Sequence, residues 1–207
     1  MKAKFITLDG IDGSGKSTHL ATIKNWFEQH QLPVVFTREP GGTAIGEALR
    51  DILLNPATQA SLRTETLLMF AARQQHLEDV ILPALQQGIS VVSDRFSDAT
   101  FAYQGGGRGV PNADIEQLEN WVQGNLRPDL TLVLDVPLEV SMERINRSRK
   151  KDRFEQEQSD FFTRVRAAYL QRAHTQPQRY AVINSNRDLA EVQAEIEALL
   201  QQHLGQS

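Results

Sequence analysis

The chain predicts an α/β fold with a parallel sheet flanked by helices, on three observations. Five short apolar runs alternate with helix-period segments. A glycine-rich Gly10-Ile11-Asp12-Gly13-Ser14-Gly15-Lys16-Ser17 stretch joins the first run to the first amphipathic segment. Polar residues Asp9, Arg38-Glu39, Asp94-Arg95, Asp135 and Asn184 follow the runs, so they collect at the C-terminal ends of the strands, where parallel sheets carry ligand sites.

Taken in order, Phe5 to Leu8 reads as the first strand, and Leu20, Ile23, Trp26 and Phe27 mark one face of a helix over 16–29. Val34 to Phe36 is the second strand, and Thr43 is a cap for a helix over 43–53. A long helix is expected over 63–86, with Pro83 near its end. Ile89 to Val92 is the third strand, and a short helix should carry Thr100, Tyr103 and Gln104. The remaining helices are expected over 113–123, 137–149, 157–174 and 189–203, with strands at Leu130 to Val136 and Tyr180 to Ile183. The chain shows no internal repeat and no linker, so residues 1–207 are expected to form one domain.

Composition narrows the function. Lys and Arg total 22 against 26 Asp and Glu, a net charge of -4, which argues against a protein that coats nucleic acid or anionic membrane. Without cysteine, disulfides, thiolate metal sites and thiol nucleophiles are excluded. The five histidines lack metal-ligand spacing and read as surface or helix-face residues. Only four largely apolar residues precede Asp9, too few for a secretory core or a membrane span, so a soluble cytoplasmic protein is expected.

The glycine-rich stretch fits the phosphate-binding pattern G-x-x-x-x-G-K-[ST]. Gly10, Gly13 and Gly15 permit a bend that aims backbone N–H groups inward at an anion. Lys16 supplies a mobile charge for β and γ phosphates, Ser17 a hydroxyl for Mg2+, and the following helix its positive end. ATP or GTP is the expected ligand. At the third strand end, Asp94 can hold Mg2+ directly or through water while Arg95 grips a phosphate bidentately. Thr37-Arg38-Glu39-Pro40-Gly41-Gly42-Thr43 places a second arginine and acid after the second strand.

The phosphate loop, Arg38-Glu39-Pro40-Gly41-Gly42-Thr43, Asp94-Arg95-Phe96 and Ala102-Tyr103-Gln104-Gly105-Gly106-Gly107-Arg108-Gly109, in this order and spacing, resemble those of bacterial thymidylate kinases over residues 5 to about 165. That resemblance implies a three-layer P-loop NTPase fold with a five-stranded parallel sheet, a mobile LID at about 143–155 and a homodimer. It implies transfer of the γ-phosphoryl group of ATP to thymidine 5'-monophosphate with Mg2+, and no nucleic acid or membrane partner.

Carried over by position, it makes Lys16, Arg95, Arg153 and Asp12 catalytic. Gly10, Ile11, Asp12, Gly13, Ser14, Gly15, Lys16, Ser17 and Thr18 would hold ATP, with Arg149 and Arg153 from the LID. Arg38 and Arg95 would meet the acceptor phosphate, Glu39 and Pro40 would line the substrate site beside them, and Glu39, Asp94 and Ser17 would form the Mg2+ shell. Asp12 would face the acceptor sugar, with Arg50 either lining the pocket or carrying a solvated charge. Phe70 would stack on thymine and Arg73 would bond its O4. The family aromatic usually stands four residues before the arginine, where this chain has Met69, so the stacking residue is Phe70 or Met69. Thr100, Tyr103 and Gln104 would meet base and deoxyribose, with Tyr103 crowding a ribose 2'-hydroxyl. Gly105 to Gly109 would let backbone pass close to substrate or form a flexible loop.

Thymidylate kinases whose phosphate loop lacks an arginine draw one from the LID. The loop here has none, and the basic run Arg144, Arg147, Arg149, Lys150, Lys151 and Arg153 supplies the excess. Three other readings compete: a related kinase with another acceptor, a GTP switch, which would need an Asn/Thr-Lys-x-Asp stretch the chain lacks, and a nucleic-acid-dependent ATPase, which the net acidity opposes.

Overall fold

The computed structural model describes residues 3–148, 153–155 and 157–205. Five strands form one sheet: β1 (Phe5–Asp9), β2 (Val34–Arg38), β3 (Ser90–Asp94), β4 (Leu130–Asp135) and β5 (Tyr180–Asn184). Their order is β2-β3-β1-β4-β5 and every pairing is parallel. β1 is central and all five of its residues are buried, which suits a strand read as an unbroken apolar run.

Alternation within the strands assigns the two faces. Leu130, Leu132 and Leu134 of β4 join Ile6 and Leu8 in one core with Ile23, Trp26 and Phe27 of α1 (Lys16–Gln29) and Val192, Ile196 and Leu200 of α9 (Leu189–Leu204). Val133 points the other way, to Phe161, Phe162, Val165 and Tyr169 of α8 (Ser159–Thr175). Each such side chain, fully buried, contributes about 1.5–3 kcal/mol. The three layers are thus two helix layers about one sheet.

Of the remaining helices, α2 (Ala44–Leu54) starts at Thr43, whose hydroxyl accepts the Gly46 N–H at 3.0 Å. The long helix expected over 63–86 is instead α3 (Leu62–His76), a π-helical turn at Leu77–Ile81 and α4 (Leu82–Gln86). Pro83 explains the break: it has no N–H to donate, and its ring crowds the carbonyl four residues back, so the backbone widens ahead of it. A second π-helical segment, Phe101–Gly107, follows α5 (Ser97–Thr100) where one short helix was expected. Helices α6 (Asn112–Gln123) and α7 (Leu138–Ser148) complete the chain. No helix among the described residues is long and apolar enough to cross a membrane.

A buried ion network locks α5 to α8 and β5. Asp98 is fully buried; it accepts from Arg172 Nε at 2.7 Å, Arg179 Nη1 at 3.0 Å and the Tyr180 hydroxyl. Burial opposes its charge, but Arg172 and Arg179 outweigh it and hold the carboxyl at about 2, below the ordinary 3.8. A depressed folded value stabilises the protein above 3.8 and loses that contribution as pH falls through about 2. Asp98→Asn should therefore cost about 3–5 kcal/mol at neutral pH. Thermal melts across this acid range should show the variant lacking part of the wild-type decline; an unchanged melting temperature at neutral pH would contradict the role given to the network.

Candidate active site

The sheet order reverses direction at β1, between β3 and β4, and the crevice at the strand C-termini opens there. Register sets Leu8 and Arg38 on either side of Asp94, so the ends of β1, β2 and β3 converge. A cavity of about 510 Å³ lies at this edge, a size suited to a small ligand. Its lining includes Asp12, Lys16 and Ser17 of the glycine-rich loop and the helix it opens, and Met69, Arg73, Thr100, Tyr103 and Gln104 from later in the chain.

The loop from Gly10 to Gly15 makes its bend with left-handed backbone at Gly10 (φ 138°), Gly13 (φ 75°) and Gly15 (φ 95°). A Cβ on Gly13 would stand 2.5 Å from the Ser141 carbonyl oxygen, so α7 packs against bare backbone there. The Ser141 hydroxyl donates to the Asp12 carbonyl at 2.7 Å and fixes the loop to α7. Lys16 Nζ donates to the Gly10 and Ile11 carbonyls, each at 3.2 Å. Burial and the nearby Arg95 pull its ammonium below the ordinary value, against Asp12 and Asp94. Ser17 and Thr18 are exposed at the cavity mouth, and Ser14 is buried with an unpartnered hydroxyl.

Arg95 links this loop to the other half of the site. It is a non-glycine residue at φ 69°, a backbone state that costs energy and concentrates at functional positions. Its Nη2 donates to Asp12 Oδ1 at 2.6 Å and to the Tyr103 hydroxyl at 3.0 Å. Its Nη1 donates to the Gly10 carbonyl at 3.1 Å and to the Tyr169 hydroxyl at 3.2 Å. Tyr103 in turn donates to Asp12 Oδ2 at 2.7 Å, and its ring lies 4.7 Å beneath the guanidinium. Burial, reinforced by Asp12 against the pull of Arg95, keeps the Tyr103 phenol well above its usual pKa.

Another part of the wall is built on α3. Arg73, 2% exposed, donates from Nε to Glu39 Oε2 at 2.8 Å and from Nη2 to Thr100 Oγ1 at 3.0 Å. Its Nη1 is buried without a partner in this cavity-lining side chain. The other Glu39 oxygen faces His76 Nδ1 at 3.0 Å, and His76 Nε2 meets Thr37 Oγ1 at 2.6 Å. Glu39, expected in a metal shell, thus has both oxygens on α3 side chains. Arg50 donates to the Pro40 carbonyl at 2.8 Å and lines the cavity with it.

Several expected residues stand elsewhere. Phe70 is 2% exposed in a core with Phe101, Val110 and Ile115, and its ring supports the Arg73 guanidinium at 4.6 Å. Met69, one helix step away, is the neighbour that lines the cavity. Arg38 turns outward to pair with Glu47 at 2.8 Å. The glycine run approaches α8: a Cβ on Gly107 would meet the Phe161 ring at 2.4 Å, and one on Gly106 the Ala168 Cβ at 2.6 Å. Arg153 is outside the cavity lining and pairs with Glu65, while Arg149 lies outside the described residues. Of the basic run, Arg144 reaches the phosphate loop, donating to the Gly13 carbonyl at 3.2 Å.

His76, Glu65 and Tyr169 join the site without having stood out in the sequence. His76 is fully buried, where a surface or helix-face residue was expected. Its spacing of three from Arg73 places both on one helix face, and Glu65, eight before Arg73, shares that face. Tyr169 left no such signal. It donates to Asp9 Oδ1 at 3.0 Å, and the other Asp9 oxygen is buried without a partner.

A phosphate loop leading into a helix, on a five-stranded parallel sheet with a cavity at its switch point, defines a P-loop NTPase fold with room for a second substrate. Comparison with known proteins identifies the branch. A family model described as thymidylate kinase matches residues 8–196. The thymidylate kinase of Neisseria gonorrhoeae (strain NCCP11945) is 72% identical over 205 residues, 99% of this chain and 100% of that protein. That of Chromobacterium violaceum is 57% identical over 195 residues, 94% of this chain and 92% of its own. The solved thymidylate kinase from Ehrlichia chaffeensis has a TM-score of 0.78 at 34% identity, covering 97% of this chain and 99% of that one. The chain belongs to the thymidylate kinase family.

Burial pushes the Asp9 carboxyl up to about 7, aided by Asp98 and opposed by Arg95. A raised carboxyl holds its proton in the folded state, so this group weakens stability as pH rises from 3.8 to about 7. Carboxyl-carbon NMR of the nucleotide-free protein should show Asp9 titrating near neutrality; an ordinary carboxylate midpoint would contradict its burial against Asp98.

Proposed function

We propose that the protein transfers the γ-phosphoryl group of ATP to thymidine 5'-monophosphate, giving thymidine diphosphate and ADP. The observation that carries this is the Arg95 guanidinium, which joins the phosphate loop to a cavity whose wall holds an unpartnered Arg73 N–H. High identity to proteins named thymidylate kinase supports the same acceptor.

In this reading the triphosphate lies on the N–H groups of the loop, and Lys16 leaves the Gly10 and Ile11 carbonyls to meet it. Arg73 bonds thymine O4 with its free Nη1, held at its angle by Glu39 and Thr100. Tyr103, fixed by Asp12 and Arg95, fills the volume of a 2'-hydroxyl. An oxygen of the acceptor phosphate attacks the γ phosphorus, and the bond to the β-γ bridging oxygen breaks as ADP leaves. Positioning and positive charge carry this step, and no strong general base is needed.

Magnesium, when bound, spreads the charge developing on the phosphates. The residues fit it: Asp94 Oδ1 is buried, unpartnered and in the cavity wall, and the Ser17 hydroxyl lines the same cavity. Among the described residues no group of three or more His, Cys, Asp or Glu could hold a metal, so phosphates and water would complete its shell. We further propose a cytoplasmic homodimer. Absence of cysteine accords with that compartment, and exposed Leu67 (53%) on α3 and Leu82 (37%) on α4 offer apolar surface for a second copy.

ADP release with Mg-ATP across the thymidine, deoxyuridine, uridine, cytidine and adenosine monophosphates should be fastest with thymidylate. Deoxyuridylate, lacking one methyl, should trail by roughly 10–200-fold. Preference for another acceptor, or hydrolysis that ignores the acceptor, would overturn the assignment. Arg153→Ala should lower kcat by roughly 10³-fold if the LID supplies the transition-state arginine; a change confined to KM would place that charge on another residue.

A further inference from the structure

Arg153 occupies a site built for a guanidinium and is not among the residues that line the cavity. Its backbone N–H donates to the Leu54 carbonyl at 3.2 Å and its Nε to the Leu53 carbonyl at 2.8 Å. These carbonyls end α2, where unpaired oxygens carry the negative end of the helix. Its Nη2 pairs with Glu65 Oε2. The anchor is therefore one buried carboxylate and two helix-end carbonyls.

Glu65 is fully buried, and its carboxylate also serves the acceptor cavity. Glu65 Oε1 accepts from Gln104 Nε2 at 2.8 Å, and Gln104 lines the cavity beside Tyr103. Arg108 Nε stands 3.1 Å from the same oxygen without hydrogen-bond geometry, and Arg108 Nη2 pairs with Glu157 at 2.8 Å. The Arg108 guanidinium also covers the rings of Phe154 at 5.2 Å and Phe161 at 5.6 Å. One carboxylate thus gathers Arg153 with the end of α2, Gln104 in the cavity wall and, through Arg108, Glu157.

We propose that Glu65 is a positioning residue that docks Arg153 off the phosphate loop and yields it to bound ATP, with Gln104 on the same carboxylate tying that exchange to the acceptor cavity. Triphosphate and carboxylate compete for one guanidinium, each able to bind it through charge-assisted hydrogen bonds. ATP can shift Arg153 only by the difference between the two partners, so a weaker dock means tighter apparent ATP binding. The inference rests on the LID reading of Arg153 given above.

The test reads the dock directly. The Arg153 Nε–H resonance, assigned by its loss in Arg153→Lys, should move when a non-hydrolysable ATP analogue with Mg2+ joins thymidylate. Glu65→Gln, checked for folding by circular dichroism, should move it already in the free protein and lower KM for ATP several-fold. In an Arg153→Ala background Glu65→Gln should leave that KM unchanged. A resonance that stays in place in the ternary complex, or two effects on KM that simply add, overturns the proposal. Where Glu65→Gln does not fold, the wild-type resonance alone decides. A moving resonance with full turnover in Arg153→Ala keeps the dock and removes the phosphate role; a fixed resonance with lost turnover does the reverse.

Discussion

The Arg95 guanidinium is the constraint on which the rest of the site depends. It holds Asp12 and the Gly10 carbonyl of the phosphate loop together with the Tyr103 and Tyr169 hydroxyls. Four partners from three chain segments need one orientation of a planar fork, which lysine cannot reproduce. That orientation is reached with Arg95 at φ 69°, so the surrounding fold bears a local backbone cost to aim it. In the proposed reaction two substrates meet in line at a fixed spacing, which a shared guanidinium would set.

The sheet makes this possible by bringing strand ends together. Parallel register places Asp94 beside Leu8, and Arg95 follows Asp94 directly into the crevice next to the phosphate loop. Packing then decides the details. Because Gly106 and Gly107 admit α8, Tyr169 comes close enough to bridge Asp9 and Arg95. Because the segment from Phe101 is π-helical, its side chains follow a wider period than an α-helix would give, and both Tyr103 and Gln104 line the cavity. The glycine run therefore acts at a helix interface and reaches the substrate cavity only through its neighbours.

Most of the fold was legible in the sequence. Strands fully buried on both faces read as apolar runs, and α1 was delimited at Lys16–Gln29 because a glycine loop starts it and its apolar face is regular. The interruption of the long helix was less visible, since Pro83 signals a break without saying whether the backbone ends, kinks or widens. In the site, the phosphate loop was legible because its chemistry is local. The α3 face was only half legible: Arg73 stood out, while Met69 and Phe70 differ by one helix step that spacing alone could not resolve. His76 and Glu65 share a helix face with Arg73, but they and Tyr169 act through partners 37, 39 and 160 residues away, and the identity of such partners leaves no mark in a local pattern.

If the triangle of Arg95, Asp12 and Tyr103 couples the phosphate loop to the cavity, Asp12 and Tyr103 cannot act independently. The direct measurement is a double-mutant cycle with Asp12→Asn and Tyr103→Phe, reading kcat/KM for thymidylate at saturating Mg-ATP. An interaction energy of about 0.5–3 kcal/mol is expected between the two changes. Effects that add to within about 0.5 kcal/mol would contradict it, because the donor loop and the acceptor cavity would then be separate sites that merely adjoin.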